Sequence, residues 1–422
     1  MGLFAKLAIG VLVISFFTFV AFFGRLPALR HTPIAWLHRA IWVSIPNAFI
    51  SLDQSLTGGR ITANASSFGN SVWYGKHPTV LIFFFLLLSV SEYLYLPGAW
   101  PRLSRTHQTC CFIAIILPYI FLYLASFTEP GTIDQTTHSK YMSHYPYDFT
   151  LFHPGQTCRT CKLLKPPRSK HCVVCKRCVA KMDHHCVFIN NCVGYKNQHY
   201  FLLLLLTTAI LTTYGGLLGL RLISETAHKH NIFFSLWKHP KLAWRDWFIL
   251  FSYGIQKDVG IGSVTLLVLM TSPLVWGLLA YHVYLIYCGT TTNESMKWQD
   301  WQAEMSDGFA FRRRLSLNRI RDPVNEASWT RWPVDPIQIL VRTEDGSTPN
   351  DESPPGEGHW EHVWALRDVE NIYDIGFWDN MADVFLPHHL VSKAQDLEKG
   401  KRSKRSRKSK AQRGAKVVAT AT

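Results

Sequence analysis

Charge is missing from long stretches of this 422-residue chain. Its apolar residues are gathered into charge-free runs rather than spread evenly, which argues against a string of ordinary soluble domains. About 18 or more uncharged apolar residues suffice for a helix to cross the roughly 30 Å hydrocarbon core of a bilayer. Five segments qualify or nearly so: Leu7 to Gly24, Thr79 to Leu96 with only Glu92, Cys110 to Phe127 with Pro118, Tyr200 to Leu220, and Gly260 to Gly289. Other absences narrow the reading. No Ala-x-Ala-like site follows the first run, which is long for a signal peptide and is read as a retained helix. Position 6 is Lys6 rather than Ser or Thr, so the Met1-Gly2 start is not a myristoylation site. Regular C2H2 spacing and a recognition helix are also absent, so no nucleic acid is expected as a partner.

Basic residues set the orientation. Lys140, Arg159, Lys162, Lys165, Arg168, Lys170, Lys176, Arg177, Lys181 and Lys196 lie between the third and fourth runs, while the loop between the second and third has only Arg102 and Arg105. The basic loop is therefore expected in the cytosol, with the N-terminus lumenal. Asn64-Ala65-Ser66, a glycosylation triplet, then faces the cytosol unused. Much of the formal charge of +15 comes from Lys399 to Lys416, a Lys/Arg/Ser run read as a disordered tail drawn to anionic lipid. Gly346 to Gly358 reads as a flexible insertion. Trp244 to Ile255 is too short to span and is expected at the lumenal interface, or as a helix packed on that loop.

The expected fold is an all-α polytopic membrane protein of about five transmembrane helices with a cytosolic, zinc-stabilised cysteine-rich domain. Its parts are an N-terminal transmembrane helix (1–24), a cytosolic loop (25–78), two transmembrane helices (79–127) and the cysteine-rich domain (128–199). Two more transmembrane helices with a lumenal loop (200–289), a cytosolic C-terminal region (290–395) and the basic tail (396–422) complete it.

Seven of the ten cysteines lie between Cys158 and Cys192, in a reducing compartment where clustering means metal or catalysis rather than disulfides. Cys158, Cys161, His171 and Cys178 recur fourteen residues later as Cys172, Cys175, His185 and Cys192, so each set reads C-x2-C-x9-H-x6-C. Eight ligands fill two closed Cys3His tetrahedra, which are structural because no position stays open for water or substrate. Cys175 and Cys178 also form a C-x2-C, so a pairing other than this interlaced one remains open. Cys186 is left over. Beside it stand His184 and Asp183, the makings of an activated nucleophile in which a carboxylate orients an imidazole and the imidazole takes a thiol proton. Against this, Cys186 could replace another cysteine as a ligand, and His184 could be a solvated loop residue. Cys110, Cys111 and Cys288, at helix ends, read as small hydrophobes or acylation sites.

Asp183-His184-His185-Cys186, followed by Asn190-Asn191-Cys192-Val193-Gly194, resembles the DHHC cysteine-rich domain of protein palmitoyltransferases. Glu129-Pro130-Gly131 resembles the family's Asp-Pro-Gly element, and Thr291-Thr292-Asn293-Glu294 its Thr-Thr-x-Glu element. Asn371 to Gly376 through Asn380 and Val384-Phe385 is similar to a C-terminal motif that packs on the membrane domain. The resemblance implies that Cys186 attacks palmitoyl-CoA with His184 as base and Asp183 as orienting partner. The acyl group then passes to cysteines of membrane proteins, its chain lying in a cavity among the helices. Val187 and Phe188 stand where the family has Pro and Trp, which leaves chain-length preference open. With the extra N-terminal run, this wording resembles the fungal spore-wall-formation subfamily, which implies an endoplasmic reticulum membrane location.

Overall fold

The computed structural model describes residues 32–64, 66, 77–237, 242–316, 319–351 and 356–386, together with Phe17 and Val20. The chain divides into two compact units at Lys76/His77. In the first, helix α1 (Pro33–Arg39) runs through a π-helical turn (Ala40–Ser44) into α2 (Ile45–Thr57). Proline opens α1, where its missing N–H costs no bond. Gly58, at φ 66°, ends α2. The expected cytosolic loop of residues 25–78 is thus helical over much of its middle.

The second unit contains the helices long and apolar enough to cross a membrane, four among the described residues: Thr79–Arg102, Arg105–Phe127, Gln198–His230 and Val259–Tyr287. They are α3 (Thr79–Ala99, with a 3-10 turn to Arg102), α4 (Arg105–Phe127), α6 (Gln198–His230) and α8 (Val259–Tyr287). This makes the chain a multi-pass membrane protein. The fifth expected span, Leu7 to Gly24, lies outside the described residues apart from Phe17 and Val20, and the basic tail lies outside them altogether. Each end uses local chemistry. The Ser104 side chain accepts from the His107 N–H at the start of α4, and Asp258 accepts from the Ile261 N–H at the start of α8. α6 and α8 make the closest pair, and Gly219 of α6 lies so near Thr265 of α8 that a Cβ would collide with its hydroxyl. Between them α7 (Trp244–Lys257) packs Leu250 and Gly254 inward and leaves Trp244 exposed.

The cysteine-rich segment fills the connection from α4 to α6. After β1 (Thr132–Ile133) and the short α5 (His138–Met142) come β2 (Lys170–Cys172), β3 (Arg177–Val179), β4 (His184–Cys186) and β5 (Asn191–Val193). β3 pairs antiparallel with β1 and β2, and β4 with β5. The two hairpins are copies in register: Lys170↔Val179, His171↔Cys178 and Cys172↔Arg177 repeat as His184↔Val193, His185↔Cys192 and Cys186↔Asn191.

Beyond α8 the all-α expectation fails. Helix α9 (Thr292–Ser306) is followed by β6 (Ala310–Arg314), β7 (Gln338–Arg342) and β8 (Glu357–His362), an antiparallel sheet in the order β7-β6-β8, before α10 (Phe377–Phe385). The end of the expected flexible insertion thus belongs to a strand. The sheet exists because Phe311, Ile339 and Trp360 close a core with Tyr145, Phe149, Phe152, Trp332 and Tyr373 from distant segments. Strands this short bury one face only when such partners arrive.

Buried ion pairs join these layers. Arg168 bonds Glu294 through Nε at 2.8 Å and Nη2 at 2.6 Å, and both side chains are buried. The Asp383 carboxylate accepts from Lys181 Nζ at 2.8 Å, Arg331 Nη2 at 2.6 Å and the Tyr145 hydroxyl at 2.7 Å. Burial alone would raise the Asp383 pKa, but Lys181 and Arg331 hold it well below the usual carboxylate range. Replacing Asp383 by Ala removes the counter-charge that two buried cations share. The expected cost is roughly 3–5 kcal/mol, measured as a lower Tm of the purified protein in detergent, with a much smaller drop for Glu361→Ala at the exposed Arg312 pair.

Candidate active site and metal centres

The repeat brings its ligands together as the interlaced pairing requires. Cys158, Cys161, His171 and Cys178 form one group and Cys172, Cys175, His185 and Cys192 the other, the ligand atoms of each lying within 4.8 Å of one another. His171 Nδ1 stands 3.5, 3.4 and 3.7 Å from the sulphurs of Cys158, Cys161 and Cys178. His185 Nδ1 stands 3.7, 3.4 and 3.6 Å from those of Cys172, Cys175 and Cys192. A tetrahedron with metal–sulphur bonds of about 2.3 Å and metal–nitrogen bonds of about 2.0 Å has edges of about 3.5 Å. Both groups fit a metal ion by donor type and by edge length.

Each group begins on the same turn. Backbone N–H groups of Cys161 and Cys175 point at the sulphurs of Cys158 and Cys172, at 3.4 and 3.3 Å. The residues after the second cysteines, Lys162 and Lys176, take positive φ of 56° and 54°. Asn190, fourteen residues further, does so at 48°. The backbone thus makes a third copy of the turn, led by Cys186, with buried Ile189 where the second cysteine would stand. The ligand pattern ends after two copies, yet the turn geometry continues.

Cys186 is buried in one apolar cluster with Leu122, Ala125, Leu205 and Leu279. His184, two residues earlier on β4, joins Asp183 through Nδ1 to Oδ2 at 2.6 Å. Asp183 is fixed from the other side by Thr292, whose N–H donates to Oδ1 at 2.8 Å and whose hydroxyl donates to Oδ2 at 2.7 Å. Thr292 is held by a capping box in which the Thr291 side chain accepts the Glu294 N–H and Glu294 accepts the Thr291 N–H. Burial opposes charge on His184, but its bonds to Asp183 and Cys186 raise its pKa to about 9. Burial likewise pushes Asp183 up, and the His184 bond outweighs it, leaving the carboxyl below its ordinary value.

Phe188, two residues past Cys186, meets Phe84 of α3 edge to face at 5.9 Å. Both line a cavity of about 330 Å³ among α3, α4, α6 and α8. Its α3 wall runs from Phe84 to Leu96, about 18 Å of helix. Tyr95, Tyr214, Leu218 and Val264 line the end remote from Phe188. Cys111 lines it too, while Cys110 is exposed and Cys288 half-buried.

The other expected motifs fall in place around this centre. Glu129 accepts the Gly131 N–H at 2.9 Å and the Lys196 ammonium at 2.7 Å. Asn371 and Asn380 donate to the carbonyls of Cys288 and Ile286 at the end of α8, each at 2.9 Å. Sequence reasoning missed His282, which α8 brings into the Asp183–His184 group. An ionisable residue inside an apolar run was the available signal.

The class these features define is a multi-pass membrane enzyme whose chemistry sits on a cysteine-rich loop at one end of its helices. Residues 151–299 match the DHHC palmitoyltransferase family model. The chain is 56% identical to palmitoyltransferase SWF1 of Neurospora crassa, over 94% of this chain and 95% of the relative. It is 42% identical to palmitoyltransferase swf1 of Emericella nidulans, over 91% and 97%, and 33% identical to that of Schizosaccharomyces pombe, over 93% and 99%. The chain belongs to the DHHC palmitoyltransferase family, in its fungal SWF subfamily.

Purified protein is expected to carry two divalent metal ions per chain by elemental analysis. His185→Ala and His171→Ala should each lose one and unfold at lower temperature, because an incomplete Cys3His site holds metal poorly. Retention of both ions by either variant would break the interlaced assignment.

Proposed function

We propose that this protein S-palmitoyltransferase takes the acyl group of palmitoyl-CoA onto Cys186 and passes it to cysteines of membrane proteins close to the bilayer. The observation that carries the reading is the Cys186 thiol joined to the Asp183–His184 pair, with Phe188 of the same turn lining an apolar cavity. His184 takes the thiol proton and Cys186 sulphur attacks the thioester carbonyl. The tetrahedral intermediate collapses with loss of CoA thiolate, which receives the proton back from His184. In the second half the acceptor thiol gives its proton to His184 and attacks the acyl-Cys186 carbonyl, and Cys186 leaves as thiolate and is reprotonated. Asp183 orients the ring and balances its charge throughout.

The two Cys3His groups would hold structural Zn2+, a metal suited to four thiolate and imidazole donors in a closed tetrahedron. Their folding energy fixes the loop that presents Cys186. The cavity takes the acyl chain, each methylene withdrawn from water contributing about 0.8 kcal/mol, and its α3 wall is about as long as an extended sixteen-carbon chain. The basic loop argues for an active site on the cytosolic face, and resemblance to the SWF subfamily for the endoplasmic reticulum membrane.

Cys186→Ser is expected to keep both zincs and to form no thioester adduct with labelled palmitoyl-CoA. His184→Ala should also keep both and slow adduct formation by roughly 10²- to 10⁴-fold. An adduct that persists in Cys186→Ser places the nucleophile elsewhere. Competition by acyl-CoAs of graded length should peak near sixteen carbons, and Tyr95→Ala, which opens the remote end of the cavity, should move the peak to longer chains. Indifference to length in both proteins would exclude a closed acyl cavity.

A further inference from the structure

His282 lies within α8, in an otherwise apolar span, and is buried. Ionisable side chains inside a membrane span are costly and mark functional positions. Its ring stacks on His184 with centroids 5.7 Å apart and planes 30° apart. Phe201 of α6 closes the group, meeting His282 at 5.1 Å and His184 at 5.2 Å, both edge to face. His282 Nδ1 stands 4.0 Å from Asp183 Oδ2, beyond hydrogen-bond length. Asp183 already accepts from Thr292 twice and from His184. His282 therefore meets the pair through its ring face.

That contact answers a mechanical need. The torsion about the bond joining an imidazole to its Cβ is broad, so the Nδ1 bond to Asp183 and the contact with Cys186 alone hold the ring plane loosely. Rocking swings the opposite nitrogen away from the Cys186 sulphur. Phe201 restrains the ring by an edge and His282 by a face, from two different membrane helices. We propose that His282 is a positioning residue for the transfer reaction, holding the plane of His184 so that its second nitrogen stays directed at Cys186. The inference rests on Cys186 as nucleophile and His184 as its base.

The test uses full-length protein in detergent, with zinc content and Tm recorded for every variant and first-order Cys186 acylation followed across palmitoyl-CoA concentrations. His282→Ala should keep both zincs, leave the half-saturating palmitoyl-CoA concentration unchanged, and lower the saturated rate roughly 10- to 100-fold, the range for a misdirected catalytic group. His282→Phe restores a flat ring without N–H groups and should recover most of the rate. In a His184→Ala background, adding His282→Ala should slow acylation no further, since a residue acting through His184 cannot act without it. Wild-type rates in His282→Ala overturn the proposal, as does failure of the Phe variant to recover, which would assign the effect to the ring nitrogens. Additive losses in the double variant also overturn it, because general loosening of the helices would not depend on His184. The underlying reading fails separately: an adduct in Cys186→Ser removes it whatever the His282 variants do.

Discussion

A carboxylate taken out of water must be met by donors, and the donors that meet Asp183 come from separate parts of the chain. His184 is its neighbour on the hairpin, whereas Thr292 begins the helix that follows the last membrane span. The carboxylate is satisfied only when the cysteine-rich loop is seated on the end of α8. Glu294, two residues beyond Thr292, repeats the demand with Arg168 from the loop. Each buried charge is costly alone and tolerable once its counterpart is in register, so these bonds select one docking of loop on bundle. The orientation of the imidazole is therefore a property of the assembled layers.

The C-terminal region serves the same seating. Asn371 and Asn380 donate to the carbonyls of Cys288 and Ile286 at the end of α8, where a helix runs short of its own donors. Asp383 collects Lys181 from the loop and Arg331 from the segment before β7. Tyr145 and Tyr373 flank Arg168 with their ring faces, at 5.1 and 4.5 Å, adding cation–π attraction to its salt bridge. Loop, α8 end, α9 and α10 thus share one polar core.

What could be read from the sequence was whatever repeats or persists locally. The clustered cysteines and histidines follow a fourteen-residue period, and the structure groups them as that period divides them. The apolar runs gave the four described spans, with α6 extending ten residues past its expected end at Leu220 because Arg221 and Glu225 pair within the continuing helix. What escaped was long-range complementarity. Nothing near Asp383 announces Lys181 or Arg331, and strands β6 to β8 are too short for alternation to declare a buried face. His282 was hidden for another reason: its meaning depends on a ring contributed from about a hundred residues away.

The third copy of the turn has a consequence of its own. In the third turn Cys186 stands where the other copies carry the first thiol of a Cys-x2-Cys pair. Where the other copies present a second sulphur, this one presents the buried aliphatic side chain of Ile189. With no second thiol beside it, the last cysteine of the series lacks the partner that a Cys3His group needs.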